Sequence, residues 1–360
     1  MKYLKIIDRY IIKKFIGTYI FAILLIISIS VIFDFNEKID HFIKNSAPAK
    51  AIIFDYYLNF IPYYANLFSS LFIFITVIFF TSKLAENSEI IAILSNGVSF
   101  KRLMRPYMIS AALIALLTFI LNSFVIPPAN KTRIEFQNKY VRNKKVEYDS
   151  NIQFAVSPGV IVYFDRYNSP TNTGYQFSLE KFEGKELISR LTAQSITYDS
   201  AYHWTIHNYM IRNFVGMKEE IIKGERIDTT LQIIPSDFMI SINDAEQMTT
   251  LDLKRYIDRQ KERGIGSIQQ FEIEFNNRFA MPFAAFILTI IGASLSARKV
   301  KGGMGFNIGI GLLLSFSYIL FMQISSSFAV SGLVSPFVAA WIPNILYAMI
   351  AVFLYRKAPN

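Results

Sequence analysis

The sequence predicts a membrane protein: a bundle of six α-helical spans interrupted by an inserted, extracytoplasmic all-β domain. Three observations carry that prediction. The chain is 360 residues long, 52% hydrophobic and only 18% charged, too apolar for a soluble domain of this size. Long uncharged runs lie in its first and last thirds, while the middle lacks them and alternates in the manner of strands. Lysines and arginines crowd alternate loops, as they do on the cytoplasmic side of membrane proteins. The net charge of +10 therefore belongs to those loops, and no nucleic acid is expected as a partner. The chain has no cysteine, which excludes disulfides, thiolate chemistry and cysteine metal sites.

A spanning helix needs roughly 20 mostly apolar residues. Phe15–Phe33, Ile61–Ser82 and Pro106–Asn130 carry no charge and form the first three spans. The basic opening "MKYLKIIDRYIIKK" leads into the first run with no small-residue cleavage pattern, so it reads as a retained span. Phe279–Ala297 is the fourth. Gly302–Tyr355 is uncharged throughout, too long for one helix, and the polar piece "SSSFAVSGLVSP" divides it into the fifth and sixth. The predicted organisation is therefore 1–126 for the first three spans, 127–277 for the inserted domain with flanking helices, and 278–360 for the last three.

Orientation follows from the short loops. Lys2, Lys5, Arg9, Lys13 and Lys14 precede the first span; Lys83, Lys101, Arg102 and Arg105 lie between the second and third. Arg298, Lys299 and Lys301 separate the fourth and fifth, and Arg356 and Lys357 follow the sixth. With six spans all four groups fall on one side, so that side, with both termini, is expected to be cytoplasmic. The middle then lies outside the cytoplasm. Within it, Gly159–Asp165, Tyr175–Phe182, Glu186–Asp199 and His203–Phe214 are rich in β-branched and aromatic residues, with turn signals between them. They predict an antiparallel sandwich or open roll, with Trp204, Ile206 and Met210 on one face. A helix capped by threonine is expected to end at Gly264.

No constellation supports catalysis. His203 and His207 share a strand face, but HExxH is absent and no third ligand is evident, so neither a metal nor a catalytic site is expected. There is no GxxxxGK[ST], so the chain cannot form its own P-loop. The spans hold almost no ionisable group, which argues against an ion-coupled carrier. Any work done on a substrate needs an external motor.

Two features remain. In the fifth span Gly305, Gly309 and Gly311 allow close helix approach, either within the bundle or at a mobile seam with a partner. Between the second and third spans, about residues 86–98, lies a short polar helix. Glu89 falls in its first turn, Ile90, Ile91, Ile93 and Leu94 form an apolar patch, and Gly97 is a natural stop. It reads as a solvated loop helix or as a docking helix for a cytoplasmic partner.

Several strings resemble the lipopolysaccharide-export permeases of the LptF/LptG family. "LKIIDRYIIKKF" resembles that family's opening, "ENSEIIAILSNGVSF" its element between the second and third spans, and "FEIEFNNRFAMPFAAFILTIIGASLSAR" its passage into the fourth span. The resemblance covers nearly the whole chain, and the order of three spans, β-domain and three spans is itself unusual. It implies a permease subunit, not an enzyme, in the inner membrane. The β-domain would be a periplasmic β-jellyroll, and a second permease of the family would pair with it. A cytoplasmic ABC ATPase resembling LptB would carry the ATP and Mg, this chain binding no cofactor. Periplasmic bridge proteins resembling LptC and LptA would receive the lipopolysaccharide. Glu89 would meet the ATPase, with Ile90, Ala92, Ile93, Leu94 and Gly97 completing the coupling helix, and the glycines of the fifth span would form the lateral seam. Family members often carry bases at the outer end of the first span. Here Asp34 and Glu37 stand there with Lys38 the only nearby base, so Lys38 alone is assigned to lipid. The contrasting expectation is a membrane-anchored periplasmic lipid-binding or scaffold protein with no transport role.

Overall fold

The computed structural model describes residues 5–141, 149–168, 171–216, 218–235, 242–262, 268–297 and 303–358. It divides into two compact units. The helical unit comprises Met1–Val141, Glu246–Leu251 and Gln269–Asn360; the second comprises Arg142–Ala245 and Asp252–Ile268. Arg298, Lys299, Lys301 and the expected helix end at Gly264 lie outside the described residues.

The first helix, α1 (Ile6–Lys44), has 39 residues. It is about 58 Å long at 1.5 Å per residue, well beyond a bilayer's hydrocarbon thickness. The loop expected from Asp34 onward is therefore largely helix, because no glycine or proline lies between Asp34 and Pro48. A short α2 (Ala49–Ala51) and a π-helical turn (Ile52–Tyr57) lead to α3 (Leu58–Leu67) and α4 (Ser69–Glu86). The second expected span is thus divided at Phe68. Pro62 removes one backbone donor from α3, and Asn66 donates to Asn122 at 2.7 Å, so α3 follows its own course. After α5 (Glu89–Ser95), α6 (Phe100–Ile120) passes through a second π-helical turn (Leu121–Val125) into α7 (Ile126–Tyr140). Pro127 and Pro128 fall in the first turn of α7, where a missing N–H costs little. α8 (Ile242–Ala245) and α9 (Thr250–Glu262) precede α10 (Gln269–Ser296), α11 (Gly303–Val330) and α12 (Pro336–Arg356). The break between the last two is tighter than the sequence suggests: α11 runs on to Val330, and Gly332, at φ 77°, makes the turn.

Among the described residues, six helices are long and apolar enough to cross a membrane. α4 and α10 form the middle of the unit, with 61% of their most apolar stretch buried against 22% for α1 and α11, so the latter two expose most of their flanks. α1 attaches by one stripe, Ile11, Phe15, Tyr19, Ile23 and Ile27, spaced by four. Between helices the adhesion is partly polar, because lipid offers no hydrophobic drive to associate apolar helices. The hydroxyls of Tyr19 and Ser69 meet at 2.7 Å, and those of Thr81 and Tyr107 at 3.1 Å. Asn307 donates to Ser82 at 3.1 Å. Tyr318 donates to Asn344, which in turn donates to the carbonyl of Ala280 at 2.8 Å.

Among the described residues the second unit holds a six-stranded antiparallel meander, β1 (Asp149–Ser157), β2 (Val160–Asn168), β3 (Thr173–Glu183), β4 (Glu186–Ser200), β5 (His203–Val215) and β6 (Lys218–Thr230), each strand paired to its chain neighbour. The four expected strands are β2 to β5. The edges escape the sequence reading: β6, "KEEIIKGERIDTT", is charged in the way that guards an edge against aggregation, and β1, "DSNIQFAVS", opens on polar residues without alternation. Among the described residues the strands make one sheet, not a two-sheet sandwich. One face carries Phe154, Val162, Phe164, Phe177, Ile196 and Trp204, all buried, and the Trp204 indole donates to the carbonyl of Ile233 at 3.0 Å. Trp204 and Ile206 share that face as expected, Met210 is only half-buried, and Asn208 is exposed with a left-handed φ of 52°.

Candidate functional site

The α5 segment joins α4 to α6 at the basic end of the helical unit. Its start is not capped by a side chain: Ser88 adopts a left-handed backbone with φ 61° and its hydroxyl makes no cap bond. The stop is as expected, since Gly97 takes φ 81°, where a side chain would be strained. Ile90 anchors the helix, only 1% exposed within the cluster of Ile11, Leu84, Ala85 and Phe100. Ile93 and Leu94 pack partly against the same cluster. Ile91, 54% exposed, and Ala92 point away from it. The apolar patch is therefore divided, with one side fixing α5 to the bundle and the other left for solvent or a partner.

Two polar links tie the start of α1 to this region. Tyr10 donates its hydroxyl to Glu89 at 2.9 Å, and the Asn87 amide reaches the other carboxylate oxygen at 3.3 Å. Arg102, in the first turn of α6, grips Asp8 with two parallel bonds of 2.7 Å. Asp8 is almost fully buried and also accepts from the backbone N–H of Lys5. Ser99 caps α6 by accepting from the N–H of Arg102 at 3.3 Å. The string "DRY" thus supplies contacts to both flanks of the α4–α6 connection, a role that sequence spacing alone did not reveal.

The fifth-span glycines fall on two faces of α11. A methyl added at Gly311 would overlap Ile78 of α4, so that glycine serves the internal helix contact, together with Asn307 and Ser315. Gly305 and Gly309 meet nothing within 4 Å and lie on the exposed side with Phe306, Leu313 and Phe316. Of the three, Gly305 and Gly309 have open space beside them and Gly311 does not.

At the opposite end of α1, Asp34 is nearly buried and forms an ion pair with Lys38. Tyr56 and Tyr57 donate to the same carboxylate at 3.1 and 3.2 Å, and Lys38 donates to the Tyr56 hydroxyl at 2.7 Å. Lys38 and Asp34 neutralise each other, which removes the repulsion expected from Asp34 and also engages the charge assigned to lipid. Beside them Arg133, also buried, lies over the Tyr63 ring at 4.6 Å and donates to Asn130. Glu246 accepts from Asn130 at 3.4 Å, and burial, then the nearby Glu274 carboxylate, holds its carboxyl above the usual range. None of Arg133, Tyr63 and Glu246 stood out in the sequence, since each looks like an ordinary residue beside a span. Arg278, at the start of the fourth span, donates to Glu274 and to the carbonyl of Met248 at 2.9 Å. His203 and His207 lie on β5, and among the described residues no group of three histidines or carboxylates is placed to hold a metal.

Among the described residues, six apolar helices, three before and three after an antiparallel sheet in the chain, with a short anchored helix between the second and third, fit a multi-pass membrane protein with an inserted β domain. The chain belongs to the LptF/LptG family: the family described as lipopolysaccharide export system permease LptF/LptG matches residues 9–357, nearly the whole chain. No curated protein matches it.

Proposed function

We propose that the chain is the permease subunit of an ABC-type exporter that lifts lipopolysaccharide out of the inner membrane, powered by a separate cytoplasmic ATPase docked on α5. The observation that carries this reading is the divided face of α5: Ile90 fixes the helix to the core while Ile91 and Ala92 stay exposed. A helix held so firmly on one side transmits a push to what it is tied to. Through Glu89–Tyr10 and Asp8–Arg102 that includes the start of α1. Family membership supports the substrate class and the location in the inner membrane.

On this reading the basic ends of the helices and both termini face the cytoplasm. The segment between α7 and α10, and hence the sheet, lies on the periplasmic side and acts as the jellyroll-like element that passes lipid to bridge proteins of similar fold. The edges β1 and β6 suit strand addition by such partners. The aromatic face of the sheet is filled by its own side chains, so acyl chains would enter only as that cluster opens. Gly305 and Gly309 of α11 and the free flank of α1 form the lateral seams with a second permease of the family. ATP and Mg belong to the ATPase.

Glu89→Arg tests the reading. The variant is expected to fold, because Glu89 is only partly buried, and to lose both copurification of the ATPase and ATP-dependent lipid release from proteoliposomes. Retention of both would reject α5 as the docking element. Purification of the wild-type chain with no nucleotide-binding subunit, and no ATP-driven release, would favour a membrane-anchored scaffold.

A further inference from the structure

On the face of the helical unit formed by α6, α10 and α12 lies a groove of 610 Å³. Its walls are apolar, including Met104, Met108, Ile287, Ile290 and Val352. Its charge is confined to one end. Lys101, Arg105 and Ile109 line it from successive turns of a single face of α6, so the lining passes from two cations to hydrocarbon over about 12 Å. Tyr355, near the end of α12, adds its ring at the charged end, 5.7 Å from that of Phe100. No acidic residue lines the groove. Arg102, between the two cations in sequence, is paired with Asp8, whereas Lys101 and Arg105 are exposed and form no ion pair among the described residues, Arg105 feeling the Asp8 carboxylate only at longer range.

A site with two exposed bases outside any ion pair, at the end of an apolar trough, matches a molecule with an anionic head and a hydrocarbon tail. We propose that the groove binds one anionic phospholipid of the leaflet at the basic end, with its phosphate held by Lys101 and Arg105 and an acyl chain laid along Met108, Ile109, Ile287 and Ile290. Free phosphate would leave the trough empty, and a zwitterionic lipid would bring its own cation toward the two bases. The volume suits a bound ligand portion and not a whole lipid, whose remaining chain would stay in the bilayer. This inference does not depend on the transport reading and needs no partner chain.

The test uses the full-length protein in nanodiscs of equal parts phosphatidylglycerol and phosphatidylcholine with identical acyl chains. After transfer to mild detergent, retained lipid is counted by native mass spectrometry. Two bases near the headgroup are expected to favour phosphatidylglycerol about tenfold. The preference should shrink at high salt. Lys101→Ala with Arg105→Ala should abolish it, Lys101→Arg with Arg105→Lys should keep it, and Ala348→Phe, which fills the trough, should lower retention of both lipids. Equal retention of the two lipids by the wild type, or a preference that survives the double alanine variant, would overturn the proposal. So would a double alanine variant that keeps its lipid but loses a cytoplasmic protein partner, since the bases would then belong to a protein contact.

Discussion

α4 and α10 differ from α1 and α11 in what their sides touch, although all four are apolar along their length. α4 and α10 bury residues nearly all round, and a glycine there, Gly292, meets Val77 and Phe74 at 3.0–3.2 Å from a would-be Cβ. α1 and α11 each bury one narrow stripe and leave the rest to lipid or to another protein. α11 contains the contrast within two residues. Gly309 faces outward and Gly311 faces Ile78, because a step of two rotates the side by about 200°. In the proposed exporter, the fixed pair would hold the shape of the bundle while the two lightly attached helices would meet and part from a partner.

Substitutions sharpen or break this comparison. The largest effect is expected at Gly311→Leu, which forces α11 away from α4 and should cost about 3 kcal/mol. Scanning fluorimetry in detergent should show a clear drop in Tm, with Gly309→Leu close to wild type. An equal drop at both positions would end the distinction between the two faces. Next is Arg102→Ala, which strands the buried Asp8 carboxylate and should cost about 2 kcal/mol. Adding Asp8→Asn should recover part of that loss, and no recovery would show that the pair is not what fastens α1. Glu246 gives a smaller, pH-dependent effect. Its carboxyl is held above the ordinary range, so the folded state binds its proton more tightly than the unfolded chain does. Stability contributed by that proton is lost as pH rises from the ordinary carboxylate range through the raised value. Glu246→Gln should keep the hydrogen bond from Asn130 and flatten that part of the Tm-against-pH curve. An unchanged curve would place the titration elsewhere. The smallest effect belongs to Tyr10→Phe. It removes one partly exposed hydrogen bond and should cost about 0.5 kcal/mol, yet it should alter the coupling of ATP hydrolysis to lipid release. A large stability loss with normal coupling would make Tyr10 a packing residue only.

The order of the spans and the inserted strands were legible because lipid leaves the backbone few options, and an uncharged run of adequate length can only be a helix. The true length of α1 was not legible. Asp34 and Lys38 look solvated in sequence, but four residues apart on a helix they cancel each other's charge and allow the helix to continue. β6 was hidden by the charges that protect a sheet edge, and β1 by its short, polar start, which breaks the apolar alternation. In α5 the position of Glu89 and the stop at Gly97 were readable, but which isoleucine faces inward was not. Ile90 and Ile91 are chemically the same, and only packing against Ile11 and Phe100 separates them. The division of the α11 glycines was equally invisible, since small residues favour close approach on whichever face they lie.

The outward face of α11, proposed as a seam with a second permease chain, is open to a direct test. The protein has no cysteine, so Gly309→Cys can be labelled at a single site with a photoreactive maleimide in the native membrane. Illumination is predicted to join the label to a second permease of the family, with a yield that changes when a non-hydrolysable ATP analogue is added to the intact complex. Adducts to lipid alone, the same with and without nucleotide, would contradict it.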